Sequence, residues 1–212
     1  MIGFTRLTKT LSAATPGICL LFLLLTGCSE STPGLQKLGS DAVILAFGDS
    51  LTHGTGTEEQ YSYPARLAEQ TGLTVINAGV PGELSAAGRD RLPGLLERHR
   101  PDLLILCHGG NDILRQRDPE AAADNLRAMI AMAHERGIEV LLIAVPKPAL
   151  LPRTAAFYAD VASSTGVPLV RDALADILSR SSLKADAVHP NRDGYARLSD
   201  AITDKLQQAG AL

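Results

Sequence analysis

The chain has 212 residues, 45% of them hydrophobic and 20% charged, with 20 Lys and Arg against 23 Asp and Glu for a formal charge of −3. A mildly acidic chain with no basic run argues against a nucleic-acid binder and against electrostatic binding to anionic lipid. The length suits one domain with a substantial core.

In chain order, residues 1–27 read as a targeting segment. Arg6 and Lys9 give a basic start, and residues 18–25 run almost wholly apolar. That run is far shorter than the roughly 20 residues needed to span a bilayer, so it reads as a signal h-region. Leu25-Thr26-Gly27-Cys28 follows and resembles the lipobox of bacterial lipoproteins. The resemblance implies cleavage before Cys28 and lipidation of its thiol, with ordinary signal cleavage nearby as the alternative. By the lipoprotein sorting pattern, Ser29 after the cysteine implies the outer membrane, and hence a cell-envelope protein facing the periplasm. Residues 28–40 carry Ser, Thr, Pro and Gly without apolar periodicity, as a flexible tether would, and residues 41–212 form the expected domain. Removing residues 1–27 takes Arg6 and Lys9 with it and leaves 185 residues, 18 basic and 23 acidic, for a charge of −5. Cys19 leaves as well, and with Cys28 lipidated only Cys107 remains, which excludes an intramolecular disulfide. Cys107 lies in an apolar run and reads as a small buried hydrophobe rather than a nucleophile.

Within the domain, short apolar runs alternate with segments of helical period. Strands are predicted over residues 42–47, 74–78, 103–107, 139–145 and 168–170, all rich in Val, Ile and Leu as strands covered on both faces should be. Helices are predicted over 63–71, with Pro64 in the first turn and Gly72 as the stop, and over 84–100, with a kink or break at Pro93-Gly94. Others are predicted over 119–136, 153–165, 173–182 and 191–206. This alternation predicts a single-domain α/β fold, a three-layer α/β/α sandwich around a mostly parallel five-stranded sheet. Ligands of such sheets bind at the carboxyl ends of the strands.

The residues able to do chemistry fall at those ends. Phe47-Gly48-Asp49-Ser50-Leu51 closes the first strand, with Gly48 permitting a sharp turn. The loop after the second strand reads Asn77-Ala78-Gly79-Val80-Pro81-Gly82-Glu83-Leu84-Ser85, and the loop after the third reads Gly109-Gly110-Asn111-Asp112. Near the carboxyl terminus, Asp186-Ala187-Val188-His189-Pro190 puts a carboxylate and an imidazole three residues apart, ahead of a helix that Asn191 would cap. A serine hydroxyl needs a base within hydrogen-bond reach and a third group to orient that base. Glycine loops and an amide side chain at the same edge supply donors for the oxyanion of an acyl-transfer intermediate. Taken alone, Ser50 reads as a helix cap or turn former, and a plain turn residue is the alternative for Asn111; together with the other blocks they read as a site. His53, His99, His108 and His134 show no metal-ligand spacing and read as surface or packing residues.

Four blocks, Gly48-Asp49-Ser50-Leu51, the glycine loop ending at Gly82, Gly109-Gly110-Asn111-Asp112 and Asp186-Ala187-Val188-His189-Pro190-Asn191, occur in the order found in the SGNH, or GDSL, hydrolase family. The chain resembles in particular the bacterial multifunctional esterases of the thioesterase I, lysophospholipase L1 and arylesterase type. The resemblance implies the flavodoxin-like SGNH hydrolase fold, Ser50 as nucleophile, His189 as general base then acid, and Asp186 as its orienting partner. It also implies an oxyanion hole made by the Ser50 N–H, the Gly82 N–H and the Asn111 side-chain amide. Gly79 competes with Gly82, and Gly82 is favoured because it occupies the family position. Asp49 is expected to brace the turn by hydrogen bonds.

No metal or organic cofactor is needed for this chemistry. The expected substrate is a small ester or lipid: aryl or short-to-medium acyl esters, thioesters or lysophospholipids. A carbohydrate or peptidoglycan O-acetyl esterase would use the same machinery. From another class, a non-catalytic lipoprotein binding a ligand on a hydrolase scaffold is the alternative. The α/β-hydrolase fold fits less well, because Thr52 stands where its serine motif needs a second glycine. The segment from Pro146 to Arg153 is expected at the substrate rim as an acyl-chain wall. The expected partners are that substrate and, through the lipid at Cys28, a membrane; no nucleic-acid partner is expected, and a monomer is.

Overall fold

The computed structural model describes residues 1–4 and 33–212. Most of the signal segment, Cys28 and the start of the tether therefore lie outside the described residues. Five parallel strands form the sheet: β1 (Val43–Gly48), β2 (Thr74–Gly79), β3 (Leu103–Cys107), β4 (Glu139–Ile143) and, counting a two-stranded hairpin between them, β7 (Leu169–Val170). Their order is β2-β1-β3-β4-β7. Ile44 to Phe47 of β1 and every residue of β3 are fully buried, which is why these strands read as continuous apolar runs rather than alternating ones.

Helices cover both faces. Between the strands run α1 (Ser50–His53), α2 (Tyr63–Thr71), α3 (Ser85–His99), α4 (Gly110–Leu114) and α5 (Pro119–His134). They are followed by α6 (Phe157–Thr165), α7 (Ala173–Leu178) and α8 (Arg192–Gln208). Helix α5 packs on α3 and α6, while α8 packs on α2 and α7, so the chain is a three-layer α/β/α sandwich. The chain crosses from one side of β1 to the other between β2 and β3, and this reversal opens a crevice at the carboxyl ends of β1 and β3. Gly48 pairs in register with both Gly79 and Cys107, so three loops leave the sheet at one level.

Several elements differ from expectation. Helix α3 is unbroken through Pro93. Leu92 and Leu96 on either side of it are buried in the core, and their burial offsets the one backbone hydrogen bond that proline cannot make. Residues 153 and 154 are not helical. They form β6 (Arg153–Thr154), which pairs antiparallel with β5 (Pro146–Lys147) in a hairpin, and the Thr154 hydroxyl is tied to the Arg171 carbonyl and Asp172. Helix α7 is also shorter than predicted, ending at Leu178 ahead of a 3₁₀ turn over Ser181–Leu183.

The tether expected over 28–40 is fixed to the domain at its carboxyl end. The Leu35 and Leu38 N–H groups donate to the Ala209 and Ala211 carbonyls, and both side chains pack against the core. Cys107 is a free, buried thiol within β3, and burial pushes its pKa well up.

Candidate active site

Ser50 opens α1 directly after β1. The turn preceding it is tight because of packing, not because Gly48 adopts a left-handed conformation. A Cβ on Gly48 would overlap the Cys107 carbonyl oxygen and the Thr52 hydroxyl. Asp49 is buried and bonded through both oxygens. Its Oδ1 accepts the Leu51 N–H at 3.0 Å and caps α1, while its Oδ2 accepts from Asn111 Nδ2 at 3.1 Å. Burial pushes the Asp49 carboxyl up, against the nearby His108, the two hydrogen bonds and His189. Asp49 therefore orients Asn111, which keeps its second amide hydrogen free of this bond.

The imidazole arrives from the far end of the chain. The Ser50 hydroxyl and His189 Nε2 are 3.0 Å apart although 139 residues separate them in sequence. Helix α8 makes this possible by docking on α2 and on the turn that follows α1: Tyr195 donates to the Thr55 carbonyl at 2.9 Å, and Ser199 and Thr203 both donate to Gln70. Asn191 caps α8 as expected, its side-chain oxygen accepting the Asp193 and Gly194 N–H groups. Its Nδ2 donates to the Ser182 carbonyl, which pins the loop just ahead of the helix.

Asp186 Oδ2 lies 2.7 Å from His189 Nδ1, and its Oδ1 accepts the backbone N–H groups of Val188 and His189 at 2.8 and 2.9 Å. Partial burial pushes the Asp186 carboxyl up, but the hydrogen bonds from His189 and the two N–H groups outweigh it and hold the group below the usual carboxylate range. With Asp186 ionised, the imidazole proton sits on Nδ1. Nε2 then has its lone pair toward the serine hydroxyl, as a base must.

A narrow slot leads to this pair, walled by Leu51, Leu114, Val145, Pro148, Leu178 and Val188. The hairpin of β5 and β6 contributes Pro146, Lys147, Pro148 and Pro152 to it. Leu150 and Leu151, at the hairpin tip, point to solvent instead, with Leu150 97% exposed. The expected wall is thus built of prolines and not of these leucines.

Ser50, Asp186, His189 and Asn111 converge directly. Gly82 does not line the slot. It sits in the β2–α3 loop at left-handed φ 78°, its carbonyl accepts from Arg115 at 3.1 Å, and its N–H meets no acceptor among the described residues. Gly79, the competitor, spends its N–H on the Asn77 side chain. Asp112 caps α3, accepting the Ser85 N–H and hydroxyl at 2.8 Å each. Among the described residues, no group of three or more His, Cys, Asp or Glu side chains is placed to hold a metal ion.

Sequence reasoning missed one part of this edge. His108 is no isolated packing residue but bonds Glu83 across 25 positions, and Glu83 in turn bonds Arg91. The available signal was that Glu83 and His108 each adjoin a loop already singled out.

Likeness to known proteins bears on the family and the fold. Residues 46–197 match the model of the GDSL-like lipase/acylhydrolase family. The chain is 31% identical to the thioesterase 1/protease 1/lysophospholipase L1 of Escherichia coli K12, over 77% of this chain and 83% of that protein. It is 30% identical to the esterase TesA of Pseudomonas aeruginosa, over 87% and 97%. Among solved structures it resembles AlinE4, an SGNH-hydrolase family esterase, with a TM-score of 0.63 and 34% identity over 82% and 98% of the two chains.

Proposed function

Since the chain belongs to the GDSL-like lipase/acylhydrolase family and is an ester hydrolase, we propose that it works as a serine esterase through an acyl-enzyme formed on Ser50. The observation that carries this reading is the unbroken line from Asp186 Oδ2 through His189 to Ser50 Oγ, at 2.7 and 3.0 Å. His189 takes the hydroxyl proton as Ser50 Oγ attacks the ester carbonyl. The tetrahedral oxyanion is received by the Ser50 N–H and the Asn111 side-chain amide, and by the Gly82 N–H, which lies outside the slot lining but is left without an acceptor among the described residues, each donor contributing about 3 kcal/mol. His189 then returns the proton to the leaving alcohol, and water enters by the same route in reverse to free the acid. Asp186 keeps the imidazole oriented and stabilises its protonated form.

The apolar slot favours an acyl chain over a bare acetyl group, which supports aryl and short-to-medium acyl esters, thioesters or lysophospholipids as substrates. The O-acetyl glycan reading would need polar sugar contacts at the rim. In location, the lipobox reading makes the protein a lipid-anchored component of the bacterial cell envelope, held through Cys28 at the outer membrane and facing the periplasm. Its tether would end near residue 34, where the bonds of Leu35 begin.

A fluorophosphonate probe tests the mechanism. Wild-type protein should be labelled and Ser50→Ala should not; folded wild type that stays unlabelled would sink the reading in favour of a binding protein. Hydrolysis of p-nitrophenyl esters from acetate to decanoate, set beside an acetylated glycan, then tests the substrate class. The optimum should fall on chains longer than acetate.

A further inference from the structure

The proposed mechanism leaves one buried histidine idle. His108 directly follows β3, with its side chain wholly buried. Its Nδ1 accepts the Gly109 N–H at 3.1 Å, and its Nε2 meets Glu83 Oε2 at 3.1 Å. Since an N–H donates to Nδ1, the ring proton is on Nε2 and points at the Glu83 carboxylate. Both nitrogens are committed inside the protein, so this imidazole has no atom left to exchange a proton with a substrate.

Glu83 continues the chain of contacts. Its two oxygens take Arg91 Nε at 2.8 Å and Arg91 Nη2 at 2.6 Å. The same Nη2 donates to the Ala78 carbonyl at 3.1 Å and the Gly48 carbonyl at 3.4 Å, and the guanidinium lies 4.3 Å over the Phe47 ring. The three side chains therefore touch the ends of β1, β2 and β3 at once. Space for the ring is made deliberately, since a Cβ on Gly88 of α3 would overlap His108 Nε2. From the other side, the Tyr158 hydroxyl donates to the His108 carbonyl at 2.6 Å.

Plain core filling does not explain this arrangement. Burying a carboxylate and an imidazole costs several kcal/mol before pairing, whereas a leucine would fill comparable volume without that cost. What the polar chain does that leucine would not is couple two loops. Glu83 directly follows Gly82, and Gly109 stands two residues before Asn111.

We infer that His108 is a positioning residue that locks the loop bearing the Gly82 N–H to the loop bearing the Asn111 amide, fixing the spacing of the two oxyanion donors. The inference rests on the oxyanion-hole reading above and deepens it. The Glu83 carboxyl is held at about 2, because the hydrogen bonds from His108 and Arg91 outweigh the upward push of burial, so the anion at the centre of this lock is present at any working pH.

The test compares His108→Leu, His108→Gln and His108→Asn with wild type, using a p-nitrophenyl ester and a trifluoromethyl ketone of matching chain length. Addition of Ser50 to the ketone places an oxyanion in the hole. His108→Leu should lower kcat about 10- to 100-fold with KM within threefold, and should raise the ketone inhibition constant by the same factor as kcat/KM falls. His108→Gln, whose amide nitrogen reaches the position of Nε2, should recover most of the loss; His108→Asn, which reaches only the position of Nδ1, should not. An unchanged ketone inhibition constant, a kcat/KM within threefold of wild type in His108→Leu, or equal losses in Gln and Asn would each overturn the proposal. Should His108→Leu fail to fold, the Gln and Asn pair decides alone, each rate being referred to the folded fraction at the assay temperature. Wild type that neither labels with fluorophosphonate nor turns over would remove the catalytic reading and this proposal with it. Labelled, active wild type matched by His108→Leu removes only this proposal.

Discussion

Two imidazole–carboxylate pairs stand at the same edge of this sheet, and they are built in opposite ways. Asp186 and His189 lie three residues apart on a loop, with side chains 54% and 17% exposed, and one ring nitrogen faces the Ser50 hydroxyl. Glu83 and His108 come from different loops, with side chains 9% and 0% exposed, and both ring nitrogens are bonded to protein. The chemistry of the two pairs is alike. What separates them is which nitrogen is left free, and therefore whether the pair can move a proton or only hold a position. Exposure follows the same division. A base must meet substrate and water, whereas a brace works best where water cannot compete for its hydrogen bonds.

Mutation at the exposed pair should give the largest effect. His189→Ala removes the imidazole that faces the Ser50 hydroxyl and should lower kcat about 10⁴-fold at unchanged melting temperature, read by ester hydrolysis and by thermal unfolding. No variant of His108 should approach that factor; one that did would erase the distinction between the pairs. Asp186→Asn should cost somewhat less, about 10³- to 10⁴-fold. The amide oxygen keeps the N–H groups of Val188 and His189, which leaves the amide NH2 facing Nδ1, so the imidazole proton is forced onto Nε2 and the ring can no longer accept from Ser50.

The contrast also explains what the sequence made legible. Strands β1, β3 and β4 were readable because both their faces are buried, which leaves no polar alternation to confuse the pattern, while β2, partly exposed at the sheet edge, was readable from its short Val-Ile run between Gly72 and Gly79. Asp186 and His189 were readable because a local pair shows itself as spacing. The ends of α2 at Pro64 and Gly72, and the cap of α8 at Asn191, were readable because caps are local chemistry. Residues 153 and 154 were misread as helical because strand pairing with Pro146 and Lys147 leaves no periodic trace in so short a hairpin. The continuity of α3 through Pro93 depends on core contacts that local propensity does not contain. Glu83 and His108 escaped for the same reason: 25 residues separate them, and the partnership exists only once β2 and β3 flank β1.

The smallest expected effect separates the pairs by stability instead of rate. The Glu83 carboxyl titrates at about 2 in the fold, against an ordinary value of 4.5. A carboxyl depressed by folding stabilises the protein above its unfolded value, and that contribution is lost as pH falls through the folded one. Between pH 4.5 and 2 the wild type should therefore lose stability that Glu83→Gln never had. The melting temperatures should differ by a few degrees at pH 6 and converge toward pH 2. Asp186 is also depressed, but it sits half in solvent, where screening removes most of the stabilising effect. Asp186→Asn should follow the wild-type acid curve closely. If instead Asp186→Asn flattens the acid curve and Glu83→Gln leaves it unchanged, the exposed pair carries the fold and the buried pair does not. The assignment of the buried pair to holding position would then fail.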